Sequence, residues 1–422
     1  MITFGRIWKT REVRNGLLFV LAMIVVFRVA AHVPVPGIDA SALPSLFQGN
    51  QFLGLLNLFS GGTLESFSLM ALGVGPYITA SIIFQLLGMI FPKIEELQKE
   101  EQGRQKITQW TRQLTVPLAI LQGYSMILLF TQQTGASLFT ASDVWTKILA
   151  VGSMTAGTVF LMWLGELMSE KKVGNGISLL IFAGIVAGLP TFVSQAIAVY
   201  DRSQLLTVIV FVALALLTVV AIVFVNEAQR VIPIQYARQV RGARLAGAVT
   251  SRLPLKLNMG GVIPIIFAVS IVLFPTTVAQ FFLNARTPFV RDVSMWIVQA
   301  FQNQLVYGIV FAVLVFAFTF FYASVVFNPT TVSQNLQKQG GFVPGIRPGT
   351  PTAEYLERVM NRILPAGAVF LAAIAVLPIV VQAWTGNPSL VVGGTSILIV
   401  VSVVIDCIKQ IEAQLSMHEY EM

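Results

Sequence analysis

Two acids, Glu166 and Asp406, are the side chains best placed to do chemistry inside an apolar chain, and the chemistry would be ion coupling. A carrier driven by protons or cations needs acids or histidines deep within its helices, where the ion must bind. Glu166 and Asp406 instead lie near the ends of apolar runs, close to Lys171 and Lys172 or to Lys409, where interfacial acids and helix-end hydrogen bonds are expected. His32 stands at the end of the first apolar run and His418 in the tail, and neither has the setting of a catalytic base. Cys407 is the single cysteine, so no internal disulfide can form, and no paired Cys/His spacing offers a metal site. Phosphate-loop, His/Glu metal and nucleophile-elbow patterns are all missing. The expectation is no catalytic residue, no metal and no cofactor, and a protein that is not an enzyme. Gln85 and Gln122 are the polar side chains to follow, as inter-helix packing bonds or as a contact that opens.

The elements that position these groups are membrane spans. A chain of 422 residues with 55% hydrophobic and 11% charged residues and a mean hydropathy of +0.78 belongs with polytopic membrane proteins. A helix needs about 20 apolar residues to cross a hydrocarbon core about 30 Å thick. Ten runs qualify: Gly16–Val33, Leu69–Phe91, Leu114–Thr131, Lys147–Met168, Ile177–Tyr200, Leu205–Val225, Gly261–Phe282, Leu305–Phe327, Ile363–Ala383 and Val391–Ile408. The first follows Arg6, Lys9, Arg11 and Arg14 and lacks a small-residue cleavage pattern, so it is expected to be a retained helix. An even number of spans puts both termini on one side. Of 27 Lys and Arg residues, all but Arg28, Lys147, Arg202, Arg286 and Arg291 fall on that side, which makes it cytoplasmic.

From Asn57 to Gln85 the chain reads as an apolar stretch interrupted by Gly61, Gly62, Gly73, Gly75 and Pro76. Backbone that leaves a helix at membrane depth survives where protein or a water-filled cavity satisfies it. Two forms fit: a re-entrant element leading into a cavity-lining helix, or a hydrophobic external loop followed by a proline-kinked helix. The external segment Val33–Ser68 has no Lys or Arg and only Asp39 and Glu65 as acids, which favours the re-entrant form.

Two loops of the cytoplasmic side are long, Asn226–Gly260 and Asn328–Arg362. Long connections without an obvious core are usually functional or disordered. In the second, Pro344, Gly345, Pro348 and Gly349 predict a tight turn with Arg347 at its tip, a candidate for binding. Arg238, Arg241 and Arg244 in the first are candidates that positive-inside bias alone would also explain.

These motifs resemble the SecY/Sec61-alpha family, which forms the central channel of the Sec protein translocase. The resemblance rests on Ser68–Gln85, on Gly174–Ser178 with Phe182–Pro190, on Leu253–Lys256, Gly261–Pro264, Phe342–Gly349 and Gly393–Ser396, in order along nearly the full chain. It implies an all-α polytopic membrane protein whose ten transmembrane helices form two pseudo-symmetric five-helix halves, 1–200 and 201–422, around an hourglass pore. The re-entrant plug would be about 57–68: Asn57, Leu58, Phe59, Ser60, Gly61, Gly62, Thr63, Leu64, Glu65, Ser66 and Phe67. A ring of aliphatic side chains would close the waist, and motif matching places it at Val74, Ile78, Ile181, Ile185, Ile266 and Ile399. Val74 departs from the isoleucine that family members mostly use, which should loosen the seal slightly. Val74, Ile181 and Ile266 fall early in their runs, so a midplane ring requires those helices to start inside funnels.

The resemblance further implies a passive pathway for unfolded preproteins, with a side opening between spans two/three and seven/eight that releases apolar signal segments to lipid. Gln85 and Gln122 are candidates for that lateral gate. SecE-like and SecG-like small membrane subunits, the SecA motor ATPase, the ribosome and preprotein signal sequences are the implied partners, and Arg347, Arg238, Arg241 and Arg244 the implied motor or ribosome contacts. The location would be the bacterial cytoplasmic membrane. An ion-coupled secondary transporter is the alternative, and a scaffold that only recruits cytoplasmic partners a third.

Overall fold

The structure, a computed structural model, describes residues 8, 10–38, 63–64, 66–134, 144–198, 205–236, 240–241, 244–245, 250–283, 287–385 and 394–421. Helix α1 is Arg11–Ala30, α2 Gly75–Ile90, α3 Pro92–Lys99, α4 Glu101–Thr134, α5 Val144–Glu170, α6 Gly176–Ala198 and α7 Leu205–Glu227. After the strands β1 Gln229–Tyr236, β2 Val240–Arg241, β3 Arg244–Leu245 and β4 Thr250–Lys256 come α8 Ile263–Phe282, α9 Pro288–Gln302, α10 Gln304–Val326 and α11 Pro329–Lys338. Strand β5 Gly341–Phe342 leads to α12 Thr350–Thr385 and α13 Gly394–Glu421. Each of the ten apolar runs is carried by its own helix, and the chain is a multi-pass membrane protein. Among the described residues six helices are individually long and apolar enough to cross a membrane.

The second run departs from a plain span. The sequence predicts a span from Leu69, yet the helix begins at Gly75, and residues 69–74 are turns. Gly73, at a φ of +57°, takes a left-handed conformation that a helix cannot contain, so the turn ends there and Pro76 opens the helix with a φ already set. At about 1.5 Å per residue α2 is about 24 Å long, short of a hydrocarbon core about 30 Å thick. It is then bent by 115° against α3 at Phe91 and Pro92.

Packing follows chain neighbours and then closes a ring. Helix α2 lies on α4, α4 on α5 and α5 on α6, while α8 lies on α10, α10 on α12, and α13 on α7 and α12. The two groups meet along two lines: α8 against α2 and α4, and α13 against α6 and α1. A single apolar cluster from Val13 to Ile411 runs through both groups.

Besides the short helices α3 and α11 and the β2–β3 hairpin, a larger sheet and a further helix add to the spans expected from the sequence. Strands β4, β1 and β5 form a three-stranded antiparallel sheet, with Gln229 paired to Lys256 at one end and Tyr236 to Gly341 at the other. Ile232 lies in a core with Leu255, Val343 and Leu356, and Ile234 is buried beside Gly341, so the two long loops fold together rather than separately. Pro233 sits in the middle strand but opposite β4 only, where the other edge is open, and the missing N–H breaks no ladder there. The second addition is α9, an amphipathic helix between α8 and α10.

Candidate functional site

The six aliphatic residues that the sequence singles out come from four helices. Val74 caps the N-terminus of α2 and Ile78 follows one turn on, a spacing that puts both on one face. Ile181 and Ile185 repeat that spacing on α6, Ile266 lies in the first turn of α8, and Ile399 near the start of α13. Each is at most 5% exposed, and all six belong to one continuous apolar cluster that also holds Leu161, Phe311 and Leu371. The early position of Ile266 has a local cause. Gly261, at a φ of +58°, turns the chain sharply between β4 and α8, so the helix starts only after the sheet has been left behind.

The segment before α2 is pinned at its end. Asn57–Gly62 and Glu65 lie outside the described residues; Thr63, Leu64, Ser66 and Phe67 are placed. Thr63, Leu64 and Phe67 are buried against α4 and α5, with the Phe67 ring edge-on to Phe130 at 5.6 Å between centroids. The Thr63 hydroxyl donates to the Met70 carbonyl at 2.7 Å, and the Ser68 amide donates to the Thr63 carbonyl at 3.1 Å. Val35 N–H donates to Phe67 O at 3.0 Å and Leu69 N–H to Val33 O at 2.9 Å, which ties the turn to the end of α1. Phe67 has a φ of +43°, a left-handed conformation costing on the order of 1 kcal/mol that these contacts hold in place. On the far side of the turn, α5 comes so close at Gly157 that a Cβ there would meet the Leu69 carbonyl. Among the described residues, the packed turn thus reaches back to Thr63.

The line where α8 meets α2 and α4 is a seam between the two helix groups. Gln85 of α2 donates to the Ser81 hydroxyl at 3.1 Å, a bond within its own helix. Gln122 of α4 puts its Oε1 4.0 Å from where a Cβ on Gly75 would lie, at the N-terminus of α2. Neither amide position requires a partner on α8.

The two acids differ: Glu166 is ion-paired near the end of α5, whereas Asp406 stands midway along α13. Glu166 accepts from Arg112 Nε at 2.8 Å across α4 and α5, and Asp406 Oδ2 lies 3.8 Å from the Cβ position of Gly261. Close by is a network that sequence reasoning missed. Asn226 Nδ2 donates to the Ser402 hydroxyl at 2.7 Å; Asn258 Nδ2 reaches Asn226 Oδ1 at 2.8 Å and the Gly261 carbonyl at 3.1 Å. Lys409 and Glu227 add an ion pair at 2.7 Å. Together these tie the end of α7 and the start of α8 to α13. The signal was present as two asparagines at opposite ends of one long loop, each beside an apolar run.

Arg347 is exposed in the turn between β5 and α12. Gly345 and Gly349, at φ of +82° and +98°, shape that turn, the Arg347 carbonyl accepts from the Thr352 hydroxyl at 2.8 Å, and Ser333 donates to Gly349 O at 2.6 Å. Arg241 and Arg244 pair across the β2–β3 hairpin by backbone, and Arg238 lies outside the described residues.

Comparison with known proteins gives the family and the fold. Residues 68–408 match the SecY family model. The protein translocase subunit SecY of Bacillus licheniformis is 42% identical over 429 residues, covering 99% of this chain and 98% of the relative. A solved structure of a protein-conducting channel superposes with a TM-score of 0.65 at 18% identity over 94% of this chain and 91% of that one. Sec61 from a canine ribosome-channel complex of the endoplasmic reticulum does so with a TM-score of 0.62 at 17% identity, again over 94% and 91%. With a family match across most of the chain, a full-length relative at this identity and the same fold over 94% of the chain, the chain belongs to the SecY family.

Proposed function

We propose that this chain is a protein-conducting channel that passes unfolded preproteins across the bacterial cytoplasmic membrane and releases apolar segments sideways into lipid. The observation that carries this reading is the convergence of α2, α6, α8 and α13 on one buried cluster that holds Val74, Ile78, Ile181, Ile185, Ile266 and Ile399. Aliphatic side chains can yield to a polypeptide and close behind it, so bulk passes while ions are kept out. Residues 1–200 and 201–422 are the two halves, opening at the seam between α8 and α2 with α4. Asn57–Phe67 is the plug, and its described residues Thr63, Leu64 and Phe67 are the ones seated against α4 and α5. A signal segment with an apolar core of about 7 to 15 residues would partition through the open seam into lipid. A charged residue held at mid-membrane costs about 2.5 to 3.5 kcal/mol and would stay in the pore.

The pore is passive and takes its energy from partners, a SecA-type motor ATPase or a ribosome, with SecE-like and SecG-like subunits beside it in the membrane. The termini and the β-sheet face the cytoplasm, because the Lys and Arg residues concentrate there. Arg347, held at the tip of a turn set on the sheet, is the principal motor contact, with Arg238, Arg241 and Arg244 on the adjoining loop.

ATP-driven import of a preprotein into vesicles containing the chain, its small membrane subunits and the motor tests the reading. Import into the lumen is expected; solute exchange without import would overturn it in favour of a transporter. In the same assay Arg347→Glu should lower import by about tenfold, the effect of losing about 1.4 kcal/mol of a charge-assisted contact. Its amount in the membrane should stay unchanged, and import equal to the parent would reduce Arg347 to a topology charge.

A further inference from the structure

Helix α9 divides into three sectors when its 15 residues are turned at helical spacing. Val290, Ser294, Ile297 and Phe301 form the side that packs toward α8 and α10; Ser294 is buried and Phe301 rests on the main apolar cluster. Asp292, Met295 and Gln299 form an exposed and mostly polar second side, with the exposed pair Arg291 and Asp292 3.6 Å apart at its edge. Between these two lies a third sector of Phe289, Val293 and Trp296, which is apolar and open: Phe289 is 77% exposed and Trp296 70%.

The position of α9 says what covers that stripe. The helix follows the end of α8 at Phe282 and runs directly into α10, with Asn303 as the only residue between them. Asn303 accepts from the Leu305 and Val306 amides at 3.0 and 3.4 Å, so α10 starts at once. Both neighbours are membrane spans, and the sheet lies at their opposite ends, so α9 sits at the membrane surface away from the sheet. At about 22 Å it is too short to cross. The stripe continues the exposed apolar residues Phe282 at the end of α8 and Leu305, Ile309 and Val313 along α10.

We infer that α9 is an interfacial helix whose Phe289, Val293 and Trp296 stripe is inserted into the lipid leaflet on the side away from the sheet. A short helix with an aromatic apolar face and a polar face lies in the boundary between headgroups and acyl chains, and tryptophan favours that depth. Because α9 packs along α8, this contact fixes the far end of the helix that borders the seam.

The test places a nitroxide on single cysteines at Phe289→Cys, Val293→Cys, Trp296→Cys, Asp292→Cys and Gln299→Cys, with Cys407→Ser removing the native thiol. The full chain is reconstituted in phosphatidylethanolamine–phosphatidylglycerol vesicles, and collisions with oxygen and with a water-soluble nickel chelate are measured. Positions 289, 293 and 296 should meet oxygen at least several-fold more than the chelate, and 292 and 299 the reverse. Chelate access at 289, 293 and 296 equal to that at 292 would place the stripe in water and overturn the inference. Low access to both reagents would place it under another protein surface and overturn it equally.

Discussion

Channels carrying Ile266→Asn or Ile399→Asn conduct ions at rest about ten to a hundredfold more than the parent and accept preproteins with weak signal segments. Both side chains are buried in the cluster where α2, α6, α8 and α13 meet. An amide in place of an aliphatic chain changes the cost of water at that point by about 1 to 3 kcal/mol. Where the collar is the barrier, that is about one to two powers of ten in passage. The polar side chain also lowers the gain from keeping the collar closed, so a poor signal segment suffices to open it. Planar-bilayer conductance of the resting complex, with import of a signal-defective preprotein, measures both effects. Unchanged conductance in both variants would remove these residues from the seal. Val74→Ile should act in the opposite direction and tighten it slightly.

The second large effect is expected at Gly157, away from the collar. A Cβ in Gly157→Ala would meet the backbone carbonyl of Leu69, which no rotamer change can move. Helix α5 must then shift from the turn that carries Thr63, Leu64 and Phe67. Overpacking of this kind costs about 1 to 3 kcal/mol. The expected result is a lower thermal unfolding midpoint and a raised resting conductance, because the base of the plug loses its support. Gly152→Ala on the same helix is the control: nothing lies within 4 Å of its Cβ position, and the change should leave both readings at or slightly above parent stability. Equal behaviour of the two variants would mean that the turn is not held by α5.

The ten spans were legible because apolar runs of this length have few other uses, and the six aliphatic residues named from four separate motifs are brought into one buried cluster. The start of α2 was less so. Leu69–Val74 has the composition of a helix, and only Gly73 with a positive φ and the hydrogen bonds of Thr63 and Ser68 turn it into a buried loop. Strand β1 was hidden by its length and by Pro233, and its partners β4 and β5 lie in different loops, joined only by tertiary packing. Helix α9 was obscured by its composition, since its apolar residues serve two faces and fill neither a span nor a simple stripe. The Asn226–Asn258–Ser402 network depends on residues up to 176 positions apart, a separation that no local pattern encodes.

The claim that a polypeptide passes through the collar is tested most directly by cross-linking an arrested preprotein. With Cys407→Ser as background, single cysteines at Ile78, Ile185, Ile266 and Ile399 should each form an adduct with a cysteine in the arrested segment, and Phe311→Cys, buried on α10 and outside the four collar helices, should not. Import-competent complexes in which none of the four collar positions forms an adduct would contradict it.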